Sequence, residues 1–146
     1  MRGADIYERK GAIFLCSSSR TTAGVGIISA PYFRVSSMEP AELGGLIREC
    51  LGASINGAPH PKSFSNLFSP ILELAGVQTY SSFVKSAKYI MVSFNESAKG
   101  EGVLFSPTRN AGVDEGFLPL KDRLHADSDS DHDLGATALV ALNSAR

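Results

Sequence analysis

The apolar residues of this chain change their spacing several times, and the changes divide it into elements. Residues 12–18 hold the unbroken apolar run Ile13-Phe14-Leu15-Cys16 closed by serines, the pattern of a short buried strand. Gly24 and Gly26 mark a turn before a second strand over residues 27–36, in which Pro31 signals an edge or a bulge. A hairpin is the simplest connection between the two. From residue 36 to 54 the period lengthens: Leu43, Leu46, Ile47, Cys50 and Leu51 fall at i, i+3, i+4, i+7 and i+8, which gathers them on one face of a helix. Pro40 suits its first turn, and Ser36 with Glu39 has the spacing of a capping box.

Further along, residues 55–69 contain Gly57, Pro59 and Pro61 among serines and asparagines, and read as a long connection. Pro70 opens a short helix over residues 71–75 that Gly76 ends, and residues 81–87 predict another helical turn or two. Residues 89–94 and 102–106 are rich in β-branched and aromatic side chains and predict a strand pair joined by a polar loop containing Lys99-Gly100. Residues 117–126 predict one more strand, broken by Pro119, and residues 134–145 a closing helix. Residues 1–10 read as a polar, frayed lead-in and residues 11–146 as one domain.

A displacement of 91 positions sets Glu42-Leu43-Gly44 on Asp133-Leu134-Gly135, Cys50 on Ala141, Leu51 on Leu142 and Phe33 on Leu124. A strand followed by a helix that opens on Leu-Gly therefore occurs twice. Glycine inside a helix costs ~1 kcal/mol relative to alanine, so its place in both first turns needs a reason, and close approach of each helix start to a sheet would supply one. Two such helices on a mainly antiparallel sheet make an α+β fold of two similar strand-helix halves.

Composition narrows the function classes. With 14 basic and 15 acidic residues in 146 the formal net charge is −1, which argues against a dedicated nucleic-acid binder. No apolar run approaches the ~18–20 residues of a membrane helix or forms a signal peptide, so the expected compartment is the cytoplasm, with no membrane partner. The two cysteines, Cys16 and Cys50, read as small buried residues, although spacing alone leaves a disulfide open.

Charge is nonetheless concentrated. Residues 114–133 carry Asp114, Glu115, Asp122, Asp127, Asp129, Asp131 and Asp133 against Lys121 and Arg123, a local formal charge of −5. The run Asp127-Ser128-Asp129-Ser130-Asp131 fails as a calcium loop, because the glycine and glutamate such a loop needs at its sixth and twelfth positions are His132 and Ala138. Acidic residues ahead of a helix stabilise its N-terminus, and Ser130 with Asp133 has capping spacing. A patch of this charge would also attract a basic surface and speed encounter with it. We therefore take Asp114, Glu115, Asp122, Asp127, Asp129 and Asp131 as candidate partner-binding residues.

No catalytic residues are expected. The three histidines are too scattered for a zinc spacing, and there is no nucleophile elbow, phosphate loop or dinucleotide loop, so neither a metal nor a cofactor is predicted. An acid-base pair formed by Asp122 and His125 is the enzyme alternative, and an adaptor or chaperone-like binding module is another.

Three stretches, taken in order, resemble the immunity proteins of bacterial contact-dependent growth inhibition systems. They are Thr21-Thr22-Ala23-Gly24 followed by Pro31-Tyr32; Glu42-Leu43-Gly44 opening the long helix; and Ser69-Pro70 through Ala75-Gly76-Val77 with Phe83-Val84-Lys85. The later strand pair, Gly116-Phe117-Leu118-Pro119 and the second Leu-Gly helix continue that order, so the likeness covers residues 12–145. It implies a cytosolic protein that binds and blocks the C-terminal toxin domain delivered by a neighbouring cell, often a nuclease. The toxin-contacting residues of that family vary between members, so it assigns none here.

Overall fold

The computed structural model describes residues 1–36, 39–97 and 102–146. The Lys99-Gly100 loop lies outside them. Among the described residues the chain forms an α+β fold: eight strands in one mainly antiparallel sheet and four helices packed on it. The strands are β1 (Arg2–Arg9), β2 (Ala12–Thr21), β3 (Gly26–Val35), β4 (Asn56–Ala58), β5 (Ala87–Phe94), β6 (Val103–Asn110), β7 (Phe117–Pro119) and β8 (Leu124–Ala126). The helices are α1 (Pro40–Ala53), α2 (Ser69–Ala75), α3 (Tyr80–Val84) and α4 (Asp131–Ser144). The sheet runs β3-β2-β1-β5-β6-β7, with β8 also on β6 and β4 lying parallel to β2.

The N-terminal residues correct the sequence reading. Rather than fraying, β1 is a central strand, paired along its length with β2 on one side and β5 on the other. Its charged ends obscure a buried middle, Ala4 to Tyr7, that alternates between two different environments. The predicted strand over residues 117–126 is likewise two short strands, β7 on the Asn110 end of β6 and β8 on its Val103 end. The long connection contains the short strand β4.

The repeat survives in full at the level of the helices. Both α1 and α4 have 14 residues, and their buried positions, Leu43, Gly44, Ile47, Cys50 and Leu51 against Leu134, Gly135, Ala138, Ala141 and Leu142, correspond one by one at the same displacement. They pack side by side on one face of the sheet over Ala4, Ile6, Ile13, Leu15, Ile90, Val92, Val103 and Phe105. Phe33 and Leu124, the matched strand residues, both pack against this core.

The Leu-Gly glycines do not serve the sheet, however. A Cβ on Gly44 would run into the main-chain carbonyl of Asp131 at the start of α4, and one on Gly135 into that of Pro40 at the start of α1. Each glycine lets the other helix begin against it. The cap of α1 also differs from expectation: Glu39, not Ser36, is the N-cap, its carboxylate accepting from the Ala41 and Glu42 amides. At the other end, Arg2 pairs with Glu96 and donates to the carbonyl of Gly52 at 2.9 Å, a cation placed at the negative end of the helix.

On the opposite face α2 and α3 cover a second, aromatic core of Tyr7, Phe14, Cys16, Ile71 and Phe83. Tyr7 makes edge contacts with Phe68 and Phe83 at centroid distances of 5.4 and 5.5 Å, and stacks on Tyr89 at 4.7 Å. Cys16 belongs to this core and Cys50 to the other, so the sheet separates them and both are free thiols. Burial pushes the Cys50 thiol up to about 12 and raises that of Cys16 further still, which leaves neither as a nucleophile at neutral pH.

Candidate functional site

The two faces of the sheet are not covered alike. Residues directly opposite each other on neighbouring strands share a face, so the registers place Phe14, Tyr7 and Tyr89 in one row, Cys16, Asp5, Met91 and Ser106 in the next, and Ser18, Gly3, Ser93 and Leu104 in a third. The first row lies under α2 and α3. Beyond it the described residues leave the sheet open as a cleft of about 590 Å³, whose lining includes Gly3, Asp5, Ser18, Met91, Ser93 and Ser106, with Arg20 and Arg123 among its exposed residues. The floor is shallow where Gly3, Ser18, Ser93 and Ser106 stand, with Met91 and Leu104 the larger side chains among them.

Asp5 stands where the covered and open halves meet. It is 8% exposed, and its Oδ1 accepts the Tyr89 hydroxyl at 2.5 Å. Burial raises the Asp5 carboxyl from the ordinary 3.8 to about 6, and the Tyr89 hydrogen bond partly opposes this by favouring the charged form. Tyr89 and Tyr7 are both held well above their ordinary pKa, chiefly by burial and then by the nearby Asp5. The floor of the cleft thus carries one carboxyl group that changes protonation state near pH 6. The polar ends of residues 1–10 hide it in the sequence. The available signal was the apolar pair Ala4 and Ile6 alternating with Asp5 and Tyr7, which places the carboxylate beside an aromatic side chain on one face of a strand.

The predicted acidic residues are all exposed, but they do not form one patch. Asp114 and Glu115 lie in the turn between β6 and β7, which is closed by hydrogen bonds from Gly116 to Gly112 and from Ala111 to Gly116. Asp127, Asp129 and Asp131 lie beyond the opposite end of β6, roughly 20 Å away at ~3.3 Å per residue along the strand. Asp122 sits between β7 and β8, outside either strand. The 127–133 segment is also engaged locally. The Asp127 amide donates to Asp133 Oδ2 at 2.6 Å, the Asp129 amide to Asp127 Oδ1 at 2.9 Å, and Ser130 caps α4 by accepting from the Asp133 amide at 3.0 Å. Asp131 pairs with Arg48 of α1 at 2.7 Å. Asp127 and Asp129 therefore project from an ordered helix start rather than from a loose loop.

Among the described residues no three His, Cys, Asp or Glu side chains are gathered to hold a metal ion, and no helix is long and apolar enough to cross a membrane. No protein-family model matches the chain, and no curated protein matches it. Solved structures do. A protein of unknown function from Neisseria meningitidis aligns over 99% of this chain and 95% of its own, with a TM-score of 0.79 and 15% identity. A CdiA-CT/CdiI toxin and immunity complex from Yersinia pseudotuberculosis contains a chain that aligns over 99% of this one and 97% of its own, with a TM-score of 0.77 and 15% identity. At that identity the two likenesses establish a shared fold along the whole path of the chain.

Proposed function

We propose that this chain is a cytoplasmic immunity protein that binds the C-terminal toxin domain of a contact-dependent growth inhibition effector, a nuclease, and neutralises it. The observation that carries the reading is the fold shared end to end with a chain of a toxin and immunity complex. The order of short motifs along residues 12–145 points the same way from the sequence. A nuclease grips phosphates through a basic cleft, and a chain of nearly balanced charge with projecting carboxylates is suited to meet such a surface. On this reading Asp127, Asp129 and Asp131 form the principal acidic contact at the start of α4. Asp114, Glu115 and Asp122 contribute separately, from the β6–β7 turn and the β7–β8 connection.

The test is co-purification with the toxin domain encoded immediately upstream of this protein. A stable complex inert toward DNA and RNA supports the reading. Absence of a complex, or a complex with full toxin activity, overturns it.

A further inference from the structure

A carboxyl group on the floor of an open cleft costs free energy to keep there, because burial disfavours its charge while, among the described residues, its side-chain partner is the Tyr89 hydroxyl. Nothing in the aromatic core requires it: Tyr7, Phe14 and Phe83 pack by their rings. The residues around it in the open rows are Met91, directly opposite, with Gly3, Ser18, Ser93, Leu104 and Ser106, of which the glycine and the three serines are small. They leave room above the carboxylate and offer acceptors beside it. The arginines near the site are already turned elsewhere or stand at its rim: Arg2 reaches α1 on the other face, and Arg20 donates to the Gly24 carbonyl at 3.2 Å.

We propose that Asp5 is the anchor for one arginine side chain of the protein partner, inserted into the cleft over Gly3 and flanked by the hydroxyls of Ser18, Ser93 and Ser106. A planar guanidinium carries five donors, enough to engage the carboxylate and the surrounding hydroxyls together, and it loses less hydration than an ammonium on entering a partly enclosed site. The exposed Arg20 and Arg123 disfavour a run of basic residues, so the guest is a single arginine on an otherwise neutral or acidic segment. This deepens the toxin-binding reading by naming the chemistry of the partner, and rests on it only for which protein carries the arginine.

The cation selects the ionised carboxylate, so affinity rises as pH climbs from 5 to 7 and levels off above. The groups facing Asp5 are Tyr7 on its own strand, Cys16 on β2, Tyr32 on β3, Tyr89 on β5 and Tyr80 on α3. Burial raises each of these, so all stay neutral over this range. Arg34 lies over the Phe14 ring and Arg9 over the Phe83 ring. His125 lies opposite Leu104 on the same face, and the series is therefore repeated in H125Q.

The experiment has two arms. In the first, the full chain labelled with carbon-13 is titrated with acetyl-Gly-Arg-Gly-amide and, separately, with its neutral citrulline analogue, while NMR follows the Asp5 carboxyl carbon and the Gly3, Ser18 and Ser93 amides. The arginine peptide is expected to lower the Asp5 titration midpoint and shift those amides, the citrulline peptide to do neither, and D5N to weaken the response at least tenfold. S93F, which fills the cleft and leaves the carboxyl group in the chain, is expected to abolish it. Equal responses to both peptides, no response to arginine, or an unchanged response in D5N overturns the proposal. In the second arm the upstream toxin domain is bound to the wild type and to D5N. A tenfold weaker complex with D5N that loses its pH dependence supports the anchor, and equal binding overturns it while leaving the immunity reading intact; no complex with the wild type defeats that reading instead, and the first arm still judges the anchor.

Discussion

Gly44 lies against the backbone carbonyl of Asp131 so closely that a methyl group would occupy the same space, and Gly135 meets Pro40 in the mirror relationship. The two long helices are thus joined start to start through their main chains. Helix propensity alone favours alanine at each glycine by ~1 kcal/mol, but the carbonyl contact outweighs it because backbone on both sides must move. Gly44→Ala and Gly135→Ala should each destabilise the fold by roughly 2–4 kcal/mol in urea unfolding. Gly52→Ala, where nothing lies within 4 Å, should stabilise it by about 0.5–1 kcal/mol. A stable G44A would show that the helix starts can separate at little cost.

Asp5 gives stability a pH dependence of unusual sign for a carboxylate. Its folded value of about 6 lies above the ordinary 3.8, so the native state holds the proton more tightly than the unfolded chain. Its contribution is fully present below about pH 4 and is lost as pH rises through 6, by an amount on the order of 3 kcal/mol. Asp5→Asn should remove the slope in this window and be more stable than the wild type at pH 7. Thermal unfolding from pH 4 to 8 measures both.

Tyr89→Phe withdraws the hydrogen bond that favours the charged carboxylate. The Asp5 midpoint should move up from about 6, and stability at pH 7 should fall by roughly 1–2 kcal/mol. Carboxyl NMR reads the first change and chemical unfolding the second. An unchanged midpoint would mean that water replaces the tyrosine without loss.

Reversing charge at Asp127, Asp129 and Asp131 tests the acidic helix start. Association with the toxin domain should slow, and the penalty should shrink as salt is raised, since exposed charges are screened beyond about 8 Å at physiological ionic strength. Folding should weaken only modestly, through the half-exposed Arg48–Asp131 pair, worth no more than ~1 kcal/mol, the Asp127 bond to the Asp129 amide and the negative charge at the start of α4. Stopped-flow association at two salt concentrations distinguishes this from a general loss of structure, which would be independent of salt.

The helices were the most legible part of the chain because their signal is local. Leu43, Ile47, Cys50 and Leu51 share a face through backbone geometry alone, and the same spacing recurs at Leu134, Ala138, Ala141 and Leu142. That some constraint fixed the glycines was readable from their cost, whereas the partner that imposed it was not. The same limit applies to the acidic residues. They are close in sequence, but β7 pairs with the Asn110 end of β6 and β8 with its Val103 end, which sets Asp114 and Asp127 beyond opposite ends of that strand.

By itself the sequence determined the α+β class, the duplicated helix and most strand positions, because each follows from the period of apolar residues over a few turns or a few pleats. Tertiary structure alone decided that β1 is central, since its short alternation gains meaning only between β2 and β5. It also decided where the sheet stays open. The helices α2 and α3 are too short to cover the whole face, and the row they leave unprotected happens to begin at Asp5. Burial, and with it the chemistry of that carboxyl group, depends on neighbours brought from distant parts of the chain, and no local pattern encodes them.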